Sequence, residues 1–166
     1  MSPPITLKDG DPAPEFEAFS NRGDKVRLAE FKGHPVVLYF YPKDDTPGCT
    51  NEACAFRDHF EEFERRGVIV LGVSTDSISS HQKFASKFKL PFVLVADSDK
   101  KIVQAYGVWG QKSFMGRKYA GVHRVTFLIH PNGRIRKIWI KIKPKDHAQE
   151  VLAELNSLDS LDSMVV

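Results

Sequence analysis

Two cysteines, Cys49 and Cys54, sit in one stretch, VVLYFYPKDDTPGCTNEACAFRDHFEEF, spanning Val36 to Phe63. An apolar run of strand length stops at Pro42, a charged loop follows, and Thr46-Pro47-Gly48-Cys49 leads into a helical pattern. Thr46 suits the N-cap and Pro47 the first helical position. Cys49 then falls third in the helix, where free backbone N–H groups and the positive end of the helix dipole favour a thiolate. Thiolate is the form that attacks electrophilic sulfur or oxygen, and Gly48 leaves the approach to it uncrowded.

Five residues along an ideal helix give a rise of about 7.5 Å and a rotation of about 140°. The two Cα atoms would then lie roughly 8 to 9 Å apart, whereas a disulfide needs about 4.4 to 6.8 Å. If both cysteines are helical when reduced, a bond between them requires that part of the helix to unwind.

Other readings of the pair remain open on these residues. An isolated cysteine is usually a small buried hydrophobe, which suits Cys54 taken alone. A zinc site needs two more ligands, and no pair among the six His has the tight spacing expected. A C-x-x-C oxidoreductase motif is absent, the spacing being C-x-x-x-x-C. A Cys/His hydrolase leaves the second cysteine unexplained and singles out no base.

The elements that must position this stretch follow from pattern. Residues 1–14, with four prolines, read as an extended arm. Phe16–Phe19 and Val26–Leu28 flank a turn at Asn21–Asp24 and read as a β-hairpin. Cys49, Ala53, Phe56, Phe60 and Phe63 mark one helical face, with Asn51, Glu52, Arg57, Asp58, Glu61, Glu62 and Glu64 on the wet side and Gly67 as the stop. Val68–Ser74 and Pro91–Ala96 read as buried strands, Ser77–Phe88 as a helix, and Asp99 as the cap of a short helix to Tyr106. A polar, glycine-bearing stretch from Gly107 to Gly121 breaks the rhythm. Arg124–His130 and Arg134–Ile142 flank Pro131-Asn132-Gly133 as a second hairpin, whose later strand has no clean inward face. A helix from Asp146 to Leu155 closes the fold, and 156–166 reads as a flexible tail. The order predicts a single α/β domain over 1–166, a three-layer sandwich with a parallel centre and an antiparallel edge.

Composition narrows the function class. With 166 residues, 42% hydrophobic and 27% charged, the chain suits one soluble globular domain. The formal charge of +3 comes without a dense Lys/Arg block, and the cations read as interleaved with Asp and Glu, a solvated surface rather than a nucleic-acid footprint. No apolar segment approaches the roughly 20 residues of a membrane span. The start lacks a secretory pattern, so the cytoplasm is expected, although a processed organellar form would read the same.

Pro42-Lys-Asp-Asp-Thr46-Pro-Gly-Cys49 matches the P-x-x-x-T-x-x-C signature of peroxiredoxins. With the second cysteine five residues on, YFYPKDDTPGCTNEACAFRD closely resembles the Q-type group, also called bacterioferritin comigratory proteins. The likeness extends through Asp11–Phe16, Val73-Ser74, Tyr106–Gly110 and Gly121–Ile129. It implies a thioredoxin-like fold and a thiol peroxidase acting on hydrogen peroxide and organic hydroperoxides, with no cofactor or metal. Cys49 would be the peroxidatic cysteine, oxidised to sulfenic acid. Cys54 would resolve it as an intramolecular disulfide, recycled by thioredoxin or a similar dithiol protein. Thr46 would hydrogen-bond the peroxide, Pro42 would shield the thiolate, and Arg124 would hold it through its guanidinium fork. A monomer or weak homodimer is expected, with neither nucleic acid nor membrane as partner. His130, where an Asp is common, and the Ser/Asp tail lie outside the pattern. The rival readings are a thioredoxin-type disulfide reductase, which the absent C-x-x-C disfavours, and a non-enzymatic redox switch or holdase.

Overall fold

In the computed structural model, residues 2–164 are described, with side chains through Ser157. Strand β3 (Val36–Phe40) is buried along its whole length. Because strand side chains alternate, Val37, Tyr39 and the following Tyr41 enter one apolar cluster while Val36, Leu38 and Phe40 enter another. A strand apolar on both faces must be covered on both, which makes three layers. Its sheet runs β5-β4-β3-β8-β9. The strands β4 (Ile69–Ser74) and β5 (Val93–Ala96) extend it in parallel; β8 (Val125–Ile129) and β9 (Ile135–Trp139) extend it antiparallel. This is the mixed sandwich the sequence predicts.

One face is covered by α1 (Pro47–Asp58), α2 (Phe60–Arg65), α3 (Ile78–Phe88) and α5 (His147–Met164) through Ala53, Phe56, Phe63, Phe84, Val151 and Leu155. The other carries α4 (Lys101–Ala105), part of the arm, and a small hairpin of β1 (Glu17–Phe19) and β2 (Lys25–Arg27). The arm is extended but tied down: Gly10 and Ala13 N–H groups donate to the Ile135 and Gly133 carbonyls.

Four expectations change. The helix after Cys49 breaks at His59, which ends α1 and begins α2, although the predicted apolar face continues across the break. The stretch 107–121 contains a hairpin of its own, β6 (Trp109–Phe114) paired with β7 (Arg117–Val122). Its turn places Met115 and Gly116 at φ 52° and 80°. Two positive φ angles normally call for Asn-Gly, so Met-Gly concealed the turn. Helix α4 is capped mainly by Asp97, whose carboxylate accepts from the Ile102 and Val103 N–H groups, while the expected Asp99 accepts only from the Lys101 N–H, and Lys100 stands at the N-cap in the left-handed region. Finally, α5 runs past Leu155 to Met164, so the expected tail from residue 156 begins as helix, and residues 165–166 lie outside the described residues.

The ambiguous face of β9 has a physical cause. A register shift between Leu128 and Ile129 opposes them to Lys137 and Ile135, leaving Arg136 as the extra residue of a β-bulge. Ile135 and Ile138 therefore reach one cluster three residues apart instead of two, and Trp139 reaches the other.

Beneath α1, Tyr39 stacks on Phe56 at 4.7 Å between ring centroids and lies over Gly72. A Cβ at position 72 would meet Tyr39 Oη at 2.9 Å and Leu94 Cδ2 at 2.8 Å. Gly72→Ala should therefore cost about 1–3 kcal/mol through overpacking, measured by urea unfolding.

Candidate active site

The site begins where β3 ends. The loop 42–46 is fixed by Asp44: its carboxylate accepts from Tyr41 Oη at 2.6 Å and Ser80 Oγ at 2.8 Å, and its N–H donates to Asp76. His81 adds a fully buried partner, with Nδ1 2.7 Å from the Asp44 carboxylate and Nε2 donating to the Val95 carbonyl. Asp44, Asp76 and His81 bring potential ligand atoms within 4.8 Å of one another, but these hydrogen bonds already engage them. Asp45 takes a left-handed φ of 56°, which Asp tolerates, and the chain turns into α1.

Thr46 occupies the N-cap and Pro47 the first helical position. The Thr46 side chain does not cap the helix, however; its hydroxyl donates to the Lys43 carbonyl at 2.8 Å. Cys49 is the third helical residue, with only 2% of its surface exposed. Arg124, between β7 and β8, reaches it: Nη2 lies 3.3 Å from Sγ, while Nη1 donates to Glu52 Oε1 at 2.7 Å. A Cβ on Gly48 would come within 3.1 Å of Nη2, so the glycine makes room for the guanidinium.

Glu52 is completely buried, and its Oε2 has no hydrogen-bond partner; neither does the buried Tyr39 hydroxyl. Burial pushes the Glu52 carboxyl up to about 7 against the opposing pull of Arg124. Burial also acts to lower the Arg124 pKa, but Glu52 and Cys49 outweigh it and hold the guanidinium above its ordinary value. The Lys112 ammonium is lowered by burial and by Arg124.

The chain matches the AhpC/TSA family over residues 10–138. It is 46% identical over 154 residues to the peroxiredoxin Bcp of Bacillus subtilis, covering 93% of this chain and 98% of that one. It is 45% identical over 146 residues to the Escherichia coli K12 peroxiredoxin Bcp, covering 88% and 94%. A cysteine-to-serine mutant of Xylella fastidiosa PrxQ superposes with a TM-score of 0.87 at 35% identity, covering 92% and 98%. The Xanthomonas campestris bacterioferritin comigratory protein, a structure described for its alkyl peroxide reduction activity, gives 0.81 at 39% identity over 86% and 90%. The chain belongs to the peroxiredoxins of the AhpC/TSA family. Its fold is accordingly thioredoxin-like, and peroxiredoxins are peroxidase enzymes.

Of the five site residues expected in this peroxiredoxin, the fold joins Cys49 and Arg124 directly across 75 residues of sequence. Thr46 stands one helical turn before Cys49. Pro42 lines a cavity of about 340 Å³ with Trp109, Lys112, Tyr119 and Val122. Cys54 is half-buried on α1 and, like Cys49, a free thiol. His130 serves its turn, Nδ1 accepting from the Asn132 N–H.

Glu52 is the correction: placed on the wet side by charge alone, it points inward to Arg124. Its position three residues after Cys49, on the same helical face, was the available sign.

The raised Glu52 pKa links stability to pH. Below the unfolded value of about 4.5 the carboxyl is protonated in both states, and its contribution is fully present. As pH rises through about 7 the folded protein must bury a charge, and that contribution is lost. Wild type should therefore lose stability relative to Glu52→Gln across this window, by a few kcal/mol at most, read as the difference in Tm at successive pH values.

Proposed function

We propose that this peroxiredoxin reduces hydrogen peroxide and organic hydroperoxides with Cys49 as nucleophile, Cys54 as resolving thiol and a dithiol protein of thioredoxin type as reductant. The observation that carries the reading is the 3.3 Å contact of Arg124 Nη2 with the buried Cys49 sulfur at the start of α1. The Cys49 thiolate attacks the terminal oxygen of RO–OH; the S–O bond forms, the O–O bond breaks, and RO⁻ leaves to be protonated to ROH. Arg124, with a rigid fork of donors, faces both the thiolate and the oxygens on which charge develops. Thr46 already donates its proton to the Lys43 carbonyl, so its oxygen presents lone pairs that accept from the peroxide O–H. Pro42 supplies an apolar wall without an N–H group.

The Cys49 sulfenic acid then condenses with the Cys54 thiol, forming the disulfide and releasing water. Both cysteines lie in α1, so helical geometry opposes this bond and the segment between them unwinds. The dithiol restores both thiols and is itself oxidised to a disulfide. The protein acts as a monomer or weak homodimer in the cytoplasm; among the described residues, no helix is long and apolar enough to cross a membrane.

Peroxide consumption coupled to thioredoxin tests the assignment. Cys49→Ser should abolish it, and full activity in that variant would overturn the reading. Cys54→Ser should complete one turnover and accumulate sulfenic acid, detected by dimedone labelling and mass. Arg124→Lys keeps the charge but loses the fork, and should lower kcat/KM for peroxide by on the order of 10²-fold in stopped flow.

A further inference from the structure

The charges of this chain are not evenly interleaved. Residues 100–145 hold twelve of its 24 Lys and Arg and none of its 21 Asp and Glu. In the fold part of this stretch borders the site on two sides. On one, Lys43 and Lys112 line the cavity beside Pro42, and Arg117 and Lys118 continue outward along β7. On the other, Pro144 lies against Gly48, with a Cβ there 3.8 Å from Pro144 Cγ, and is flanked by exposed Lys143 and Lys145. Among the described residues Arg117, Lys118, Lys143 and Lys145 pair with no carboxylate, whereas Lys25, Arg27, Lys87 and Arg57 on other faces do.

Among the described residues, the same stretch carries four of the five exposed large hydrophobic side chains: Phe114, Met115, Tyr119 and Ile140. Phe114 and Met115, 68% and 89% exposed, crown the β6–β7 hairpin. Apolar groups beside unpaired cations suit an interface rather than a solvated surface. Hydrogen peroxide and simple alkyl hydroperoxides are neutral, so a field of one sign does not steer them. It steers a charged partner that must reach the same two cysteines.

We infer that this rim is the docking surface for the reductant, a dithiol protein presenting carboxylates around an apolar centre. The inference rests on the proposed function, which requires a dithiol to attack the Cys49–Cys54 disulfide. No new chemistry is added: one thiolate of the partner attacks a disulfide sulfur, its second thiol resolves the mixed disulfide, and two electrons pass to this chain.

The test uses the full chain oxidised with one equivalent of peroxide, and an acidic thioredoxin as probe. Arg117→Glu/Lys118→Glu and Lys143→Glu/Lys145→Glu should each slow reduction by roughly tenfold or more at low salt. From about 0.01 M to 1 M salt the screening length falls from about 30 Å to about 3 Å, and the wild-type advantage should vanish. Dithiothreitol, small and neutral, should reduce wild type and both variants at one rate, and the single-turnover peroxide reaction should stay within about twofold; these controls also report misfolding. Reduction by thioredoxin that ignores both charge reversal and salt overturns the inference while leaving the peroxidase intact. So does loss of binding to phosphatidylglycerol vesicles with reduction unchanged, which would make the rim a membrane surface. If peroxide produces no intramolecular disulfide, seen as the loss of two hydrogens by mass, the proposed function falls and this inference with it.

Discussion

Arg124 faces two acidic side chains at once, the sulfur of Cys49 and the carboxyl of Glu52, and the site is built around that sharing. Burial acts on the carboxyl strongly enough to bring it to about 7, so near neutrality Glu52 is poised between a neutral and a charged partner for the guanidinium. A neutral Glu52 leaves the Arg124 charge to the sulfur; an ionised Glu52 competes for it. The orphaned Oε2 atom and the unpartnered Tyr39 hydroxyl show that the surroundings do little to stabilise a second negative charge. Glu52 thus holds Arg124 in place through Oε1, while the same burial limits how far it neutralises the cation.

The sandwich serves this contact by bringing together three elements distant in sequence. Strand β3, apolar on both faces, delivers the loop 42–46 to the sheet edge, and the Asp44 network pins that loop to β4 and α3. Strand β8, antiparallel beside β3, begins at Val125, one residue after Arg124, and lies at the same edge because Phe40 pairs with Val125. Helix α1 is held by Phe56, fully buried beyond Cys54, while the segment from Cys49 to Cys54 adds only the small side chains of Cys49 and Ala53 to the apolar cluster. A helix anchored by its middle and lightly held at its start can release the segment from Cys49 to Cys54 without dissolving the core.

How much was legible in the sequence follows from which interactions are local. The strand–turn–helix, the proline at the first helical position and the place of Cys49 in the first turn of α1 depend on neighbouring residues, and they were readable. So was the apolar face of α1, since a 3.6-residue period survives the break at His59. Arg124 was placed in the site only through family likeness, because nothing near it in the chain distinguishes it from a surface cation. Glu52 was misplaced for the complementary reason: a carboxylate in a helix reads as solvated until its distant guanidinium is known. The β6–β7 hairpin and the bulge in β9 were missed where backbone geometry departs from residue preference, at Met115 with positive φ and at the extra Arg136.

Charge is therefore used at two depths. Inside, a single guanidinium is matched against a buried carboxyl; poorly screened there, it acts on the Cys49 sulfur and Glu52 in contact and reaches Lys112 beyond them. Outside, the lysines and arginines of the rim are solvated, and each alone contributes little. Together, with no carboxylate in 46 residues of chain to cancel them, they add to a field of one sign. The inner charge acts on a neutral peroxide only once it has arrived; the outer field acts on charged bodies before contact. In the proposed cycle a small oxidant and a large reductant meet the same two sulfur atoms in turn, and the two arrangements serve different steps, since neither can perform the other's task.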